Sequence, residues 1–284
     1  MRILLIFFTV LFAASAHAQS SCGQFDFANP YAEAFMAGET YKDASSAAEK
    51  ITSLPDGACH QDRLLAVLGE KLGPVVGYKA AATSPGAQKQ LGLDTPVLGV
   101  LFEGMVLPDG STVRIDSAAR MIFELDLLAR VKDASLADAT TREEALAAID
   151  AVVPFIELGD LMVPKGAAIT GPLLQAMNAG ARLGVAGEPI STEGMTAGTL
   201  AAATGVLSKD GTVLAEAPAT ALLGHPLDAV LWIAQATKAR GMPLKPGDML
   251  SLGSMGRFQL ASPGTVTGAY VFGDKQAAVS LTLQ

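Results

Sequence analysis

Phe123-Glu124-Leu125-Asp126-Leu127-Leu128 sets two acids, two positions apart, inside a run of large apolar residues. Side chains alternate across a strand, so a strand over residues 121–131 puts Glu124 and Asp126 on one face and Phe123, Leu125 and Leu127 on the other. Buried like charges repel, and one acid takes up a proton unless a cation or a basic side chain stands beside it. The pattern returns at Val153-Pro154-Phe155-Ile156-Glu157-Leu158, a second apolar run carrying one acid. Three carboxylates in apolar strands form a donor set for a hard divalent cation such as Mg²⁺, which takes oxygen ligands and keeps positions open for water or substrate. The plainer alternative has Glu124 and Asp126 facing solvent from a half-exposed strand and Glu157 paired with an arginine. The chain has three histidines, His17, His60 and His225, too few for a multi-histidine cage.

Upstream, Gly73-Pro74 closes an alanine-rich, patchily amphipathic region (residues 29–72) that reads as helices. Val75-Val76-Gly77-Tyr78-Lys79 then reads as a short buried strand delivering a lysine, with an ordinary strand-end lysine as the alternative. Residues 98–106 are mostly apolar, and Pro108-Asp109-Gly110 is a turn. Thr141-Arg142-Glu143-Glu144 matches a helix capping box followed by Ala145, Leu146 and Ile149 on one face. Residues 152–158 form another strand. Residues 163–200, rich in glycine and alanine, read as loops with a short helix near 173–177. Residues 205–216 read as a hairpin turning at Lys209-Asp210-Gly211. His225-Pro226 opens a helix that Gly241 stops, Pro246-Gly247-Asp248 turns into a strand at 249–252, and closing strands occupy 266–272 and 277–283.

Half of the 284 residues are hydrophobic and 17% are charged, enough to bury a core and too apolar for disorder. A net charge of -8 with no basic run argues against a nucleic-acid partner. Arg2, the apolar run 3–14 and Ala16-His17-Ala18 match a secretory signal cleaved after Ala18. The run is too short to span a membrane, so a periplasmic or secreted chain with no membrane partner is expected. Such a compartment permits oxidation, and a bond between Cys22 and Cys59 is the simplest use of the two cysteines. Two buried thiols are the alternative. The loop of nearly forty residues would contribute about 3.5–4 kcal/mol in the chain-entropy model.

Phosphate loops, CxxC, HExxH and GxSxG are absent. What remains is a set of ordered blocks: Gly77-Tyr78-Lys79 with Thr83; residues 88–96, Gln-Lys-Gln-Leu-Gly-Leu-Asp-Thr-Pro; Gly99-Val100-Leu101-Phe102; Pro154-Phe155-Ile156-Glu157; Leu223-Gly224-His225-Pro226 through Trp232; and Pro243-Leu244-Lys245-Pro246-Gly247-Asp248. In order and spacing, from about residue 72 to the C-terminus, they resemble the 2-keto-4-pentenoate hydratase branch of the fumarylacetoacetate hydrolase superfamily. The resemblance implies an α+β fold, a β-rich roll of mixed sheets (residues 73–284) preceded by a small helical region (residues 19–72), and commonly a homo-oligomer. It implies water addition to an unsaturated 2-oxo acid chelated by Mg or Mn. It assigns the metal to Glu124, Asp126 and Glu157, the last 31 positions after Asp126. Lys79 becomes the acid/base, its pKa lowered by burial beside the metal, and Thr83, Leu101 and Ser254 become substrate contacts.

A second register stays open. The family carries an arginine two residues before its first acid; aligning Arg120 there puts Ile122 at the first acid and Glu124 at the second. Val97, Leu252 and Arg182 also depart from the family pattern at positions expected at the pocket. Decarboxylation by the same chelate, C–C hydrolysis using a histidine base, and a non-catalytic exported protein that binds a small acid are the competing readings.

Overall fold

The computed structural model describes residues 22–284, so the signal segment lies outside the described residues. Three helices come first, α1 (Ala28–Ala37), α2 (Ala44–Lys50) and α3 (Leu54–Leu72). The α3 start is set by Ser53, whose hydroxyl accepts from the Asp56 N–H, and by Pro55 in the first turn. Cys22 and Cys59 are disulfide-bonded, fastening the segment before α1 to α3.

The chain then runs through β1 (Val75–Ala81), α4 (Pro85–Leu91), β2 (Val97–Phe102), β3 (Val106–Pro108), β4 (Thr112–Val113) and β5 (Met121–Val131). After these come α5 (Arg142–Ala147), β6 (Ile149–Asp160), α6 (Gly171–Ala176), β7 (Ala181–Ala186), β8 (Ile190–Ser191), α7 (Ala197–Ala201), β9 (Thr204–Lys209) and β10 (Thr212–Pro218). Helix α8 (Pro226–Ala239) and strands β11 (Met249–Ser251), β12 (Gln259–Leu260), β13 (Gly264–Phe272) and β14 (Lys275–Leu283) complete it. The Thr141 capping box and the hairpin at Lys209-Asp210-Gly211 form as read from the sequence.

Two mixed sheets result. The larger has the order β2-β1-β11-β5-β6-β7-β3, with β12 on β5 and β8 on β6; the smaller has the order β10-β9-β13-β14-β4. Within residues 163–200 the expected short helix forms as α6, but residues 181–186, expected as loop, form β7, which pairs between β6 and β3 in the large sheet. Its Gly184 weakens the local strand signal but is required by packing: a Cβ there would lie 1.9 Å from the Phe155 ring. The segment 85–91, assigned no element from sequence, is a helix begun by Ser84 and Pro85.

Alternation along β5 decides which face does what. Leu125 inserts between Gly205 and Gly268 of the small sheet, where a Cβ would stand 2.7 and 2.9 Å from its methyls. The Phe123, Leu125 and Leu127 face therefore packs sheet on sheet into the main core. Tyr270 of β13 ties the layers, its hydroxyl 2.6 Å from the Asp126 carbonyl and 2.8 Å from that of Phe155. Glu124 and Asp126 are left on the opposite face of the large sheet.

Candidate active site

On that opposite face lies a cavity of about 800 Å³, with Lys79, Thr83, Glu124, Glu157 and Ser254 in its wall. Glu124 and Glu157 are direct cross-strand partners of β5 and β6, which places two carboxylates as near neighbours. Lys79 arrives from β1. Its ammonium bonds the Glu157 carboxylate and donates to the Ala179 carbonyl at 3.2 Å. Its stem passes over Gly99 of β2, where a Cβ would stand 2.6 Å from the lysine Cγ, so only glycine leaves the path open.

The charges do not balance. Three carboxylates share this region with one ammonium. Burial, then the neighbouring Glu157 charge, raises Glu124 to about 7, with Lys79 and the Ser254 hydroxyl acting the other way. Burial, then Glu157, holds Asp126 well above the usual carboxylate range, although the Ser251 hydroxyl and Leu127 N–H favour its charged form. Lys79 is pulled both ways. Burial does act to lower its pKa, but the combined pull of Glu157, Glu124 and Asp126 holds it above the ordinary lysine value.

The excess negative charge and the all-oxygen donor set fit a hard divalent cation. Glu124 and Glu157 face the cavity. Asp126 shares their face but is fully buried, its Oδ1 taking the Leu127 N–H at 2.6 Å and its Oδ2 taking the Ser251 hydroxyl. Among the described residues no three histidine, cysteine or acidic side chains already close as a metal-holding group. Ile122, the first acid position of the alternative register, lies opposite Gly159 and outside the cavity lining.

Several residues expected at the pocket lie outside the cavity lining. Leu101 is buried in the main apolar core rather than lining the cavity, because β2 is buried along its whole length. Val97, Leu252 and Arg182 likewise lie outside the lining. Val97 and Leu252 are core residues. Arg182 donates to the Phe35 and Ser117 carbonyls and sits over the Phe35 ring, anchoring α1 to the roll. Neither described histidine lines the cavity, which leaves a histidine-based hydrolase without its base: His60 stacks edge-on to Phe25 and Phe27, and His225 caps α8.

One supporting group escaped the sequence reading. Asn178, Ala179 and Gly180 all have positive φ (53°, 56° and 69°), a costly run that persists only when its surroundings over-determine it. Strand β2 is the sheet edge, and side-chain amides stand in for a missing neighbour. Asn178 accepts from the Val100 N–H at 2.8 Å and donates to its carbonyl at 2.9 Å, while Gln175 makes the same pair with Leu98. Gln61 of α3 donates to Asn178 at 2.9 Å. This clamp holds the turn that aims the Ala179 carbonyl at Lys79. Asn in a left-handed position was the one available signal.

No known family profile matches the chain. It is similar to a 2-keto-4-pentenoate hydratase of Paraburkholderia xenovorans, 31% identical over 204 residues that cover 70% of this chain and 73% of the relative. It is also similar to the TodF product hydratase of Pseudomonas putida, 29% identical over 254 residues, covering 83% and 86%. Among solved structures, 4-oxalocrotonate decarboxylase from Pseudomonas putida G7 superposes with a TM-score of 0.79 at 22% identity, over 90% of this chain and 95% of that one. The α+β roll is thus the fumarylacetoacetate hydrolase fold. The chain belongs to the 2-keto-4-pentenoate hydratase branch of the fumarylacetoacetate hydrolase superfamily.

Proposed function

We propose that the protein adds water to an unsaturated 2-oxo acid of the 2-keto-4-pentenoate type in the cavity that holds Lys79, Glu124 and Glu157. The observation that carries this reading is the placement of one buried ammonium against two cross-strand carboxylates in a cavity large enough for a small acid. Similarity to hydratases over most of the chain supports the reaction class. Glu124 and Glu157, with Asp126 if Ser251 releases it, would hold Mg or Mn; the structural relatives bound to Mg and Mn²⁺ support that choice. Such an ion, when bound, supplies Lewis-acid polarisation of the 2-oxo group.

The protein's own groups then have separate tasks. Lys79 presents a proton on Nζ toward the substrate oxygen that becomes an enolate, where a fixed ammonium stabilises the developing charge. The Thr83 and Ser254 hydroxyls, both in the wall, orient the substrate's polar end. The apolar residues of β5 and β6 around the acids exclude water and keep these interactions strong. The purified mature chain, incubated with 2-hydroxypenta-2,4-dienoate and Mn²⁺, should give 4-hydroxy-2-oxopentanoate by NMR. Carbon dioxide release from a 2-oxo dicarboxylate without any hydration would assign decarboxylation instead.

Export to an oxidising compartment belongs to the same reading, supported by the Cys22–Cys59 bond. We also infer a homo-oligomer. The edge strand β10 leaves Val213 and Leu214 exposed, an open edge that a second copy would cover; light scattering at a monomer mass would contradict this.

A further inference from the structure

We propose that Gln61, held in one orientation by Arg240, is a positioning residue for Lys79: through Asn178 it fixes the Ala179 carbonyl and so aims the one ammonium hydrogen left for the substrate. That role depends on the cavity being the substrate site, as proposed above. An ammonium carries three hydrogens in a fixed tetrahedral array. On Lys79 one goes to Glu157 and one to the Ala179 carbonyl at 3.2 Å. With two directions taken the third is set, and the cavity that Lys79 lines is where a substrate meets it. With Glu157 as its one partner, the ammonium would turn about that single bond.

The chain of contacts that holds the Ala179 carbonyl starts in the helical region ahead of the roll. Gln61 of α3 is fully buried. Its amide oxygen accepts from Gln175 and from the guanidinium of Arg240, the C-terminal cap of α8, which also bonds Asp62 and donates to the Ala58 carbonyl. A guanidinium has donors and no acceptor, so the oxygen of Gln61, not its nitrogen, must face it. The amide nitrogen then points away from Arg240, where it donates to the Leu98 carbonyl at 2.8 Å and to Asn178 Oδ1 at 2.9 Å. That bond decides the next amide. With Oδ1 turned to Gln61 and the Val100 N–H, Asn178 Nδ2 goes to the Val100 carbonyl. Asn178 opens the left-handed run, and Ala179 follows it directly. Orientation thus passes from a partly buried cation through two amides to the carbonyl against Lys79. Packing of α3 on β2 does not by itself call for an amide here, since a methionine would fill the same space without burying polar atoms.

The test compares Gln61→Met, Arg240→Met and Arg240→Lys with a control, Leu68→Ala, a core deletion two turns further along α3. Hydration of 2-hydroxypenta-2,4-dienoate with Mn²⁺ is read as kcat and KM. The Lys79 ammonium is read directly by its Nζ resonance in lysine-labelled protein, assigned by its loss in Lys79→Met. Gln61→Met and Arg240→Met should each move that resonance and lower kcat roughly ten- to hundredfold, the scale of a small misplacement at the reacting atoms, with KM and Mn²⁺ affinity unchanged. Arg240→Lys, still a donor without an acceptor, should keep most of the turnover and the wild-type resonance. Leu68→Ala should lower the urea midpoint and leave kcat and the resonance unaltered, which separates aim from stability. Wild-type kcat in Gln61→Met, or in Arg240→Met should Gln61→Met fail to fold, overturns the positioning role. An equal loss of kcat in Leu68→Ala, or an unmoved resonance, does the same. A wild type without turnover overturns the hydratase reading instead, and the resonance then decides alone: movement in the Gln61 and Arg240→Met variants but not in Leu68→Ala supports the positioning role, and no movement overturns it.

Discussion

Lys79 of β1 and Glu157 of β6 bond to one another although two strands, β11 and β5, lie between theirs. Three strand spacings are roughly 14 Å in a flat sheet, more than the two side chains can bridge, so the large sheet must curl toward its acid-bearing face. Curvature is what turns separate strands into a site. Lys79→Met should lower kcat by about 10²–10⁴-fold, the range for a lost proton-donating group, while the far-UV circular dichroism stays native. Unfolding stability should also fall, because Glu157 loses its cation in a buried setting. Full activity in this variant would remove Lys79 from the mechanism.

Metal affinity should follow the two cavity-facing carboxylates. Glu124→Gln and Glu157→Gln should each weaken Mn²⁺ binding at least tenfold by calorimetry, since each removes an anionic oxygen donor. Ser251→Ala frees one oxygen of Asp126 and should not weaken binding; a large loss there would mean that Ser251, rather than Asp126, supports the ion.

Asn178→Ala should cost about 2–4 kcal/mol in urea unfolding. The change strands the N–H and carbonyl of Val100 at a buried sheet edge and removes a residue suited to its left-handed backbone. A loss under 1 kcal/mol would show that the edge strand finds other partners.

His225 makes stability depend on pH in a definite direction. Its Nδ1 accepts the Leu227 N–H and its Nε2 lies 3.1 Å from the Ala197 carbonyl, the pattern of a neutral ring protonated on Nε2. Burial first, then Arg142, lowers its pKa, with the Ala197 carbonyl, Asp228 and Glu143 opposing. A histidine depressed in the folded state contributes stability above its unfolded value near 6.5, and that stability fades as pH falls toward the folded value. His225→Asn keeps a cap without the titration, so the stability difference between wild type and variant should change between pH 7 and 5, to the wild type's disadvantage. A difference that is constant with pH would contradict the neutral cap.

The elements that carry the site were readable because each combined a local pattern with a chemical anomaly. Glu124 and Glu157 stood out as acids in apolar strands, and Lys79 as a lysine ending one. The Thr141 box and the 209–211 turn announced themselves by fixed offsets. What stayed hidden depends on contacts far apart in sequence. Gly184 spoils the β7 pattern only because Phe155 of β6 needs its space. Leu101 matched a motif yet serves the core. Arg182, read as a pocket departure, is an anchor for α1. Asn178 gave a faint backbone signal, and its partner Val100 lies 78 positions away.

Hydration of a 2-oxo acid in this cavity, with a divalent ion held by its acids, is read out by the initial rate of 2-hydroxypenta-2,4-dienoate consumption, followed in the ultraviolet for the mature chain as purified, after exhaustive chelation, and after Mn²⁺ is restored. Chelation should abolish turnover and Mn²⁺ should return it. A rate that chelation leaves unchanged, or no turnover after Mn²⁺ is restored with this substrate, would contradict that reading.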